Sequence, residues 1–315
     1  MVRKILQFYN SHLSLWVVLC GGAAYFYPQL FVVFKGYINV FFAITMFGIG
    51  LVITEDDYRN IIKSPKAILF GNLCQFTIMP LLAFITAFIF QLPRDITVGL
   101  ILTGAAPGAM TSNVISYLSD GDVAYSVSLT AVATMLCPVL TPFITLFLAG
   151  HMVPVPVMQM FLTIIYTVVL PLFAGFLVRR LFPAFIEKAE NVPPAISVTA
   201  IVVICAYVVA ANNANLGKAT LVLFAAVIFH NLMGMLLGYG AGALAKYDFR
   251  RRKTLSIEIG MQNAGLGVVL ALQHFSPDVA VPAAIFTIWC IVSASLLVNF
   301  WQYLERSHVK ARETN

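Results

Sequence analysis

The sequence predicts an all-α membrane protein with ten transmembrane helices. Apolar residues make up 60% of the 315 residues and charged residues 10%, whereas soluble domains contain about 45–50% and about 25%. The apolar residues are gathered in runs of about 20, the length that a helix needs to cross a bilayer. These runs lack the short alternating pattern of an outer-membrane β-barrel.

Turn-rich segments separate the ten runs, including residues 55–59 and 212–218. The predicted spans are residues 13–30, 37–54, 66–91, 96–118, 123–148, 156–181, 194–212, 219–245, 254–274 and 279–302. With the N-terminus inside, 16 of the 19 Lys and Arg residues fall in inner segments, and Lys35, Arg94 and Lys218 fall in outer ones. Because cytoplasmic loops retain basic residues, this split predicts that both termini are cytoplasmic.

The distribution of charges and cysteines does not indicate a nucleic-acid-binding, metal-binding or disulfide-linked protein. The net charge of +6 comes from basic residues clustered between apolar runs, a pattern that does not indicate a nucleic-acid partner. The five cysteines lie inside apolar runs without C-x-x-C spacing, so we expect buried apolar residues rather than metal ligands or disulfides.

Weak internal similarity divides the chain into two halves. Asp122-Val-Ala124 recurs as Asp278-Val-Ala280, at an offset of 156 residues, close to half the chain length. Each half holds five predicted spans, and an odd number of spans reverses the orientation of the second half. The sequence therefore predicts two inverted five-helix repeats, an architecture found in many secondary transporters.

The fourth and ninth spans are predicted to be interrupted within the membrane. Pro107 and Gly108 lie inside the fourth span, and Gly260, Gly265 and Gly267 lie inside the ninth. Unpaired backbone groups are tolerated at that depth where they face protein, water or a ligand. The helix N-termini at such breaks suit an anion, and the freed carbonyl groups suit a cation.

Glu258 is a carboxylate inside a predicted span, where a charge is costly unless it is balanced. One interpretation pairs it with Arg251 or Arg252 at the edge of the membrane. The other makes it a ligand for a small hard cation or a carrier of protons.

Hydroxyl and amide side chains near the fourth break can complete such a site. Ser126 and Thr130 are four residues apart and share one face of the fifth span. Their hydroxyls could simply bond to their own helix. Together with Ser112, Asn113 and Glu258, however, they could form an all-oxygen cage of the kind that binds hard cations.

The remaining polar residues carry weaker signals. Gln75 and His230 are related by an offset of 155 residues, and either is typical of hydrogen bonding between helices. Asp120 and Asp122 share one turn, so they do not form the facing pair of an intramembrane protease. The sequence contains no nucleotide-binding or nucleophile motif, and we do not expect an enzyme.

At these residues the chain resembles the bile acid:sodium symporter family, particularly its bacterial members. The similarity covers nearly the whole chain. Its motifs are Ala106-Pro-Gly108 with Ser112-Asn113, then Ser126 with Thr130, and Glu258-Ile-Gly-Met-Gln262-Asn263.

The resemblance implies that helices 4 and 9 are broken and cross inside a core domain, which packs against a panel domain. The panel would comprise residues 1–63, with helices 1 and 2, and residues 151–215, with helices 6 and 7. The core would comprise residues 64–150, with helices 3–5, and residues 216–303, with helices 8–10. Residues 304–315 would form a cytoplasmic tail.

The resemblance also implies two sodium sites and a substrate site. The first sodium site would use Ser112, Asn113, Ser126, Thr130 and Glu258. The second would use Gln75, Glu258 and Gln262 with the backbone carbonyls of Ile259 and Met261. The substrate would contact Thr111, Asn263, Met110 and Ile291.

The function implied is sodium-coupled symport of an organic anion, either bile acid-like or a small hydroxy or keto acid such as pantoate. Core and panel would alternate access to the site. Two alternatives stay open, namely a proton-coupled carrier that uses Glu258 and a passive channel. We expect two sodium ions, an organic anion and the lipid bilayer as partners, with no nucleic acid and no obligate protein partner. The expected location is a bacterial inner membrane.

Overall fold

The computed structural model describes residues 2–11, 13–52, 64–188, 192–211, 213 and 221–313, and nearly all of them are helical. Seven helical stretches within these ranges are long and apolar enough to cross a membrane. They are Gln29–Gly50, Pro65–Ile89, Val123–Ala149, Val157–Leu181, Val192–Ala211, Leu221–Leu244 and Pro277–Gln302. The chain is therefore a multi-pass helical membrane protein, and the full number of ten spans stays a prediction.

The first two predicted spans have a different boundary in the structure. The elements are α1 (Val2–Ser11), α2 (Leu13–Phe26), α3 (Gln29–Val32), a 3₁₀ helix (Val33–Tyr37) and α4 (Ile38–Gly50). Helix resumes at Gln29 rather than at residue 37, because the chain turns at Pro28. Lys35, which we expected in an outer turn, lies inside the 3₁₀ helix. The predicted turn at residues 55–59 lies outside the described residues.

The middle of the chain contains α5 to α12. They are α5 (Pro65–Ile89), α6 (Arg94–Gly104), α7 (Thr111–Leu118), α8 (Val123–Ala149), α9 (Val157–Ile164), a π-helical segment (Ile165–Val169), α10 (Leu170–Leu181), α11 (Pro183–Lys188) and α12 (Val192–Ala211). The following predicted turn falls largely on residues 214–218, which lie outside the described part of the chain, as does Lys218.

The last part of the chain contains α13 (Leu221–Leu244), α14 (Phe249–Gly260), α15 (Ala264–His274), a 3₁₀ helix (Pro277–Ala280) and α16 (Val281–Glu313). Helix α16 continues to Glu313 and so includes residues 304–313 of the segment that we expected to form the cytoplasmic tail. Residues 303–313 contain no Gly or Pro to end the helix, and they are rich in good helix formers.

The helices pack in two groups. In one, α12 packs against α2 and α4, and α4 packs against α10. In the other, α13 packs against α14 and α5, while α16 packs against α6 and α15.

A glycine allows α4 and α10 of the first group to lie close together. A Cβ atom on Gly50 of α4 would lie 2.1 Å from the backbone oxygen of Leu172 in α10. Small residues of this kind let membrane helices approach closely.

Two short non-helical segments divide the helices that carry the motifs. Residues 105–110 separate α6 from α7, and residues 261–263 separate α14 from α15. Pro107 lies within the first segment, and Gly260 ends α14. Gly265 and Gly267, which we expected to help interrupt the ninth span, lie inside α15 instead.

Candidate functional site

The two non-helical segments lie side by side and pair through their backbones. The N–H of Ala109 donates to the carbonyl oxygen of Met261 at 2.8 Å, and the N–H of Asn263 donates to that of Pro107 at 2.8 Å. Gly108 sits in this pairing, where an added Cβ atom would lie 3.0 Å from Glu258 Oε2. The absence of a side chain at Gly108 therefore allows the first segment to lie close to the carboxylate.

The Glu258 carboxylate is the centre of the site, and its residue is only 3% exposed. The hydroxyls of Ser112 and Ser126 donate to Oε1. The hydroxyl of Thr130 donates to Oε2 at 2.8 Å. Asn113 Oδ1 lies 2.9 Å from the Ser126 hydroxyl. The five residues predicted for the first sodium site therefore meet where α7, α8 and α14 converge.

These contacts bear on the pairing of Glu258 with an arginine. Arg251 binds Asp122, with 2.8 Å between Nε and Oδ2. Arg252 Nε donates to the Tyr247 carbonyl oxygen at 2.6 Å. Neither arginine is therefore paired with Glu258.

The Thr130 hydroxyl also lies 3.1 Å from the Ser126 carbonyl oxygen of its own helix. Its single proton can go to either acceptor, and Glu258 Oε2 is the nearer one at 2.8 Å.

The donor set of this cluster fits a small hard cation. Its side chains offer hydroxyl, amide and carboxylate oxygens, which are the ligands that hard cations take. A buried carboxylate also needs a positive charge to balance it. Within the described ranges, no three His, Cys, Asp or Glu side chains group together as they would around a transition metal.

The residues predicted for a second cation lie beside the end of α14. The Gln75 amide donates to Gln262 Oε1 at 2.8 Å, and the Gln262 amide donates to the Ile259 carbonyl oxygen at 2.8 Å. The carbonyl oxygen of Met261 accepts the bond from Ala109. The structure thus brings Gln75, Gln262 and the Ile259 carbonyl together, whereas the hydrogen bonds of Glu258 lead to the first cluster.

A cavity of about 90 Å³ adjoins the paired segments, and all four predicted substrate residues line it: Met110, Thr111, Asn263 and Ile291. Side chains from α4 and α12 form the opposite wall. The first residues of α7 and α15 lie at its edge. Backbone N–H groups at helix N-termini favour anions.

Two buried polar residues of α13 contact backbone carbonyl groups of the helices next to the site. His230 Nε2 lies 3.0 Å from the Met79 carbonyl oxygen, which agrees with the hydrogen-bonding role expected for it. The Asn231 amide donates to the Gly260 carbonyl oxygen at 2.7 Å, at the end of α14 where intrahelical partners run out. The sequence analysis missed Asn231, although an asparagine within an apolar run is itself a signal.

These features define a multi-pass helical membrane protein with a buried oxygen cluster beside a small cavity. The chain belongs to the Sodium Bile acid symporter family, whose family model matches residues 39–219. This confirms the resemblance found in the sequence. Membership identifies the chain as a sodium-dependent membrane transporter and not an enzyme.

The chain is similar to several proteins of this kind. It is 40% identical over 300 residues to the uncharacterized sodium-dependent transporter YocS of Bacillus subtilis, covering 95% of this chain and 94% of that protein. It is 36% identical over 261 residues to the probable sodium/metabolite cotransporter BASS1 of Arabidopsis thaliana chloroplasts, covering 82% and 65%. For the BASS1 protein of Oryza sativa subsp. japonica the identity is 33% over 291 residues, covering 92% and 72%.

Proposed function

We propose that the protein is a sodium-coupled symporter that carries a small organic anion into the cell. The observation that carries this proposal is the convergence of three hydroxyls on the buried Glu258 carboxylate, next to the paired non-helical segments. Neutral hydroxyls cannot balance the charge of a carboxylate inside a membrane, whereas sodium can.

In this proposal Glu258 is shared by two sodium ions. The first ion is bound by the hydroxyls of Ser112, Ser126 and Thr130 and by Asn113. The second is bound by Gln75, Gln262 and the carbonyls of Ile259 and Met261. The second ion would be ligated through the side-chain oxygens of Gln75 and Gln262, since an amide N–H is a donor and cannot ligate a cation. Gln262 Oε1 has two lone pairs, so it can ligate the ion while it accepts the Gln75 N–H.

The substrate occupies the cavity lined by Met110, Thr111, Asn263 and Ile291. Pockets for drug-sized ligands have volumes of roughly 300–1,000 Å³, whereas this cavity measures about 90 Å³. That volume favours a small hydroxy or keto acid, such as pantoate, over a bile acid. At the starts of α7 and α15, the N–H groups of Thr111 and Gly265, two residues that line the cavity, are the proposed donors for its carboxylate.

Transport follows from movement of one group of helices against the other. We assign α2, α4, α9, α10 and α12 to the panel, and α5 to α8 with α13 to α16 to the core, which contains the two crossing interrupted helices. Ten spans in two inverted repeats, with both termini in the cytoplasm of a bacterium, complete the arrangement. The cavity lies between these groups, as alternating access requires.

Coupling arises because both ion sites adjoin the non-helical segments that border the cavity. Met261 and Gln262 of the second site lie within one segment, and the first site includes residues of α7 and α14, which these segments join to α6 and α15. Sodium holds these segments in the arrangement that binds the substrate. By linkage, the substrate then raises sodium affinity by the same factor.

The direct test is uptake of radiolabelled organic anions into proteoliposomes. Small hydroxy and keto acids and a bile acid are compared under an inward sodium gradient, a pH gradient and no gradient. We expect accumulation of a small acid only under the sodium gradient. Accumulation driven by pH alone supports the proton-coupled alternative, and rapid equilibration without accumulation supports a channel.

A further inference from the structure

A polar seam joins α14, along most of its length, to the first two turns of α8. We define the seam as Arg250, Thr254 and Glu258 on α14, with Asp122, Ser126 and Thr130 facing them. Each set is spaced four residues apart, so each occupies one face of its helix. Glu258 and its hydroxyl donors form the end of the seam next to the non-helical segments.

The other end of the seam joins the first two turns of α14 to the carbonyl groups that follow α7, from its C-cap residue Ser119 to Gly121. The Arg250 guanidinium donates to the carbonyl oxygens of Asp120 at 3.1 Å and Gly121 at 3.3 Å. Lys253, only 1% exposed, donates to the carbonyl oxygen of Ser119. Basic residues are unfavourable at the N-terminus of their own helix, but here they meet the C-terminus of α7, where cations are favourable.

The middle of the seam joins the start of α8 to α14. The backbone N–H of Asp122 donates to the Thr254 hydroxyl at 2.8 Å, and Thr254 is fully buried. The Asp122 carboxylate caps α8 through the N–H of Tyr125 at 3.1 Å and pairs with Arg251 at 2.8 Å. The N-cap residue of α8 is therefore fixed to α14 one helical turn before Glu258.

We propose that the contact between Thr254 and Asp122 is a positioning device for the first sodium site. It sets the register between α8 and α14, and therefore the separation of the Ser126 and Thr130 hydroxyls from the Glu258 carboxylate. This inference rests on the proposed function. A binding cage must hold its ligands within about 0.5 Å of the productive geometry, so a small slip between the helices weakens binding.

The test replaces Thr254 with valine, which keeps the shape of the side chain and removes the acceptor for the Asp122 N–H. We expect the sodium concentration for half-maximal uptake to rise about two- to tenfold, the equivalent of one lost hydrogen bond. The substrate KM at saturating sodium should not change. Thr254→Ser retains the hydroxyl and should restore the wild-type sodium dependence.

Thr145→Val is the matched control. Thr145 is also buried, lies on α8, and donates to the Thr141 carbonyl oxygen of its own helix at 2.7 Å. An equal rise in that variant would show that any buried threonine on this bundle has the effect, and it would overturn the proposal. A folded Thr254→Val protein with wild-type sodium dependence would also overturn it.

Arg251→Gln provides a second perturbation if Thr254→Val does not fold. It removes the ion pair to Asp122, which is partly exposed, and we again expect the sodium concentration for half-maximal uptake to rise. Unchanged sodium dependence in Arg251→Gln would then overturn the proposal.

Glu258→Gln in the same assay separates the positioning role of Thr254 from the proposed function. If Glu258→Gln keeps sodium-stimulated uptake, the proposed function fails. If Glu258→Gln loses that uptake while Thr254→Val shows wild-type sodium dependence, only the positioning role fails.

Discussion

Replacing Ser126 and Thr130 together with alanine removes two of the three hydroxyls that contact Glu258. Both side chains are fully buried on one face of α8 and lie on the inner side of the bundle. The double substitution deletes two oxygen ligands of the proposed first sodium site and leaves the carboxylate in place. We expect sodium affinity to fall while the protein remains folded.

The size of the effect follows from the contacts removed. We take the contact of one hydroxyl oxygen with the ion to contribute as much as a hydrogen bond to a charged group, about 1.5–3 kcal/mol. Because about 1.4 kcal/mol corresponds to a factor of ten, loss of one hydroxyl should weaken sodium binding at least about tenfold. The pair should weaken it about a hundredfold or more, although neighbouring effects do not add strictly.

Thermal unfolding of the purified protein in sodium and in potassium measures this change. A ligand at 100 times its Kd stabilises the folded state by about 2.7 kcal/mol, whereas at a concentration equal to Kd it contributes about 0.4 kcal/mol. The sodium-induced increase in Tm should therefore nearly disappear in the double variant. It should return at much higher sodium concentration.

Ser128→Ala is the matched control for this experiment. Ser128 is buried on the same helix, and its hydroxyl donates to the Ala124 carbonyl oxygen at 2.7 Å. It should keep the full sodium-induced increase in Tm. A well-folded double variant with the same increase as Ser128→Ala would refute the reasoning, because Ser126 and Thr130 would then only bond within α8.

Two further predictions follow from the same geometry, and a third follows from the distribution of basic residues. Gly108→Ala should reduce sodium-driven uptake and sodium affinity, because its Cβ atom would lie 3.0 Å from Glu258 Oε2; unchanged sodium titrations would contradict this. Asn263→Ala should raise the substrate KM measured at saturating sodium, because Asn263 lines the cavity and accepts the Leu266 N–H at 3.2 Å at the start of α15; an unchanged KM would remove it from the substrate site. A cysteine placed at Thr314, which lies outside the described residues, should react with an impermeant thiol reagent only after the cells are opened.

The local patterns of the sequence were sufficient to predict the residues around Glu258. The spacing of Ser126 and Thr130 places both hydroxyls on one helical face, and the cost of an unbalanced carboxylate singles out Glu258. Local patterns gave neither the partner of Gln75, which was grouped with Gln262 only through the family resemblance, nor the backbone pairing of the two non-helical segments. The bond between Gln75 and Gln262 and the backbone pairing of Ala109 with Met261 join residues more than 150 positions apart.

The ends of the helices were harder to predict than the helices themselves. Pro107 and Gly108 drew attention to the fourth span, but α6 already ends at Gly104, where a Cβ atom would lie 2.6 Å from the Met79 carbonyl oxygen. This close approach depends on the packing of α5 and is invisible in the sequence of α6. Lys253 was likewise expected in a loop between spans, but it lies in α14, where its side chain is buried and donates to the carbonyl oxygen of Ser119.

Sodium-driven uptake by Glu258→Gln tests the central claim most directly. The variant keeps a side-chain oxygen and nearly the same shape but removes the charge that two sodium ions would share. In proteoliposomes with an inward sodium gradient, we expect the wild-type protein to accumulate the anionic substrate and Glu258→Gln to lose that accumulation, even at high sodium. Sodium-stimulated accumulation by Glu258→Gln at the wild-type level would contradict the account.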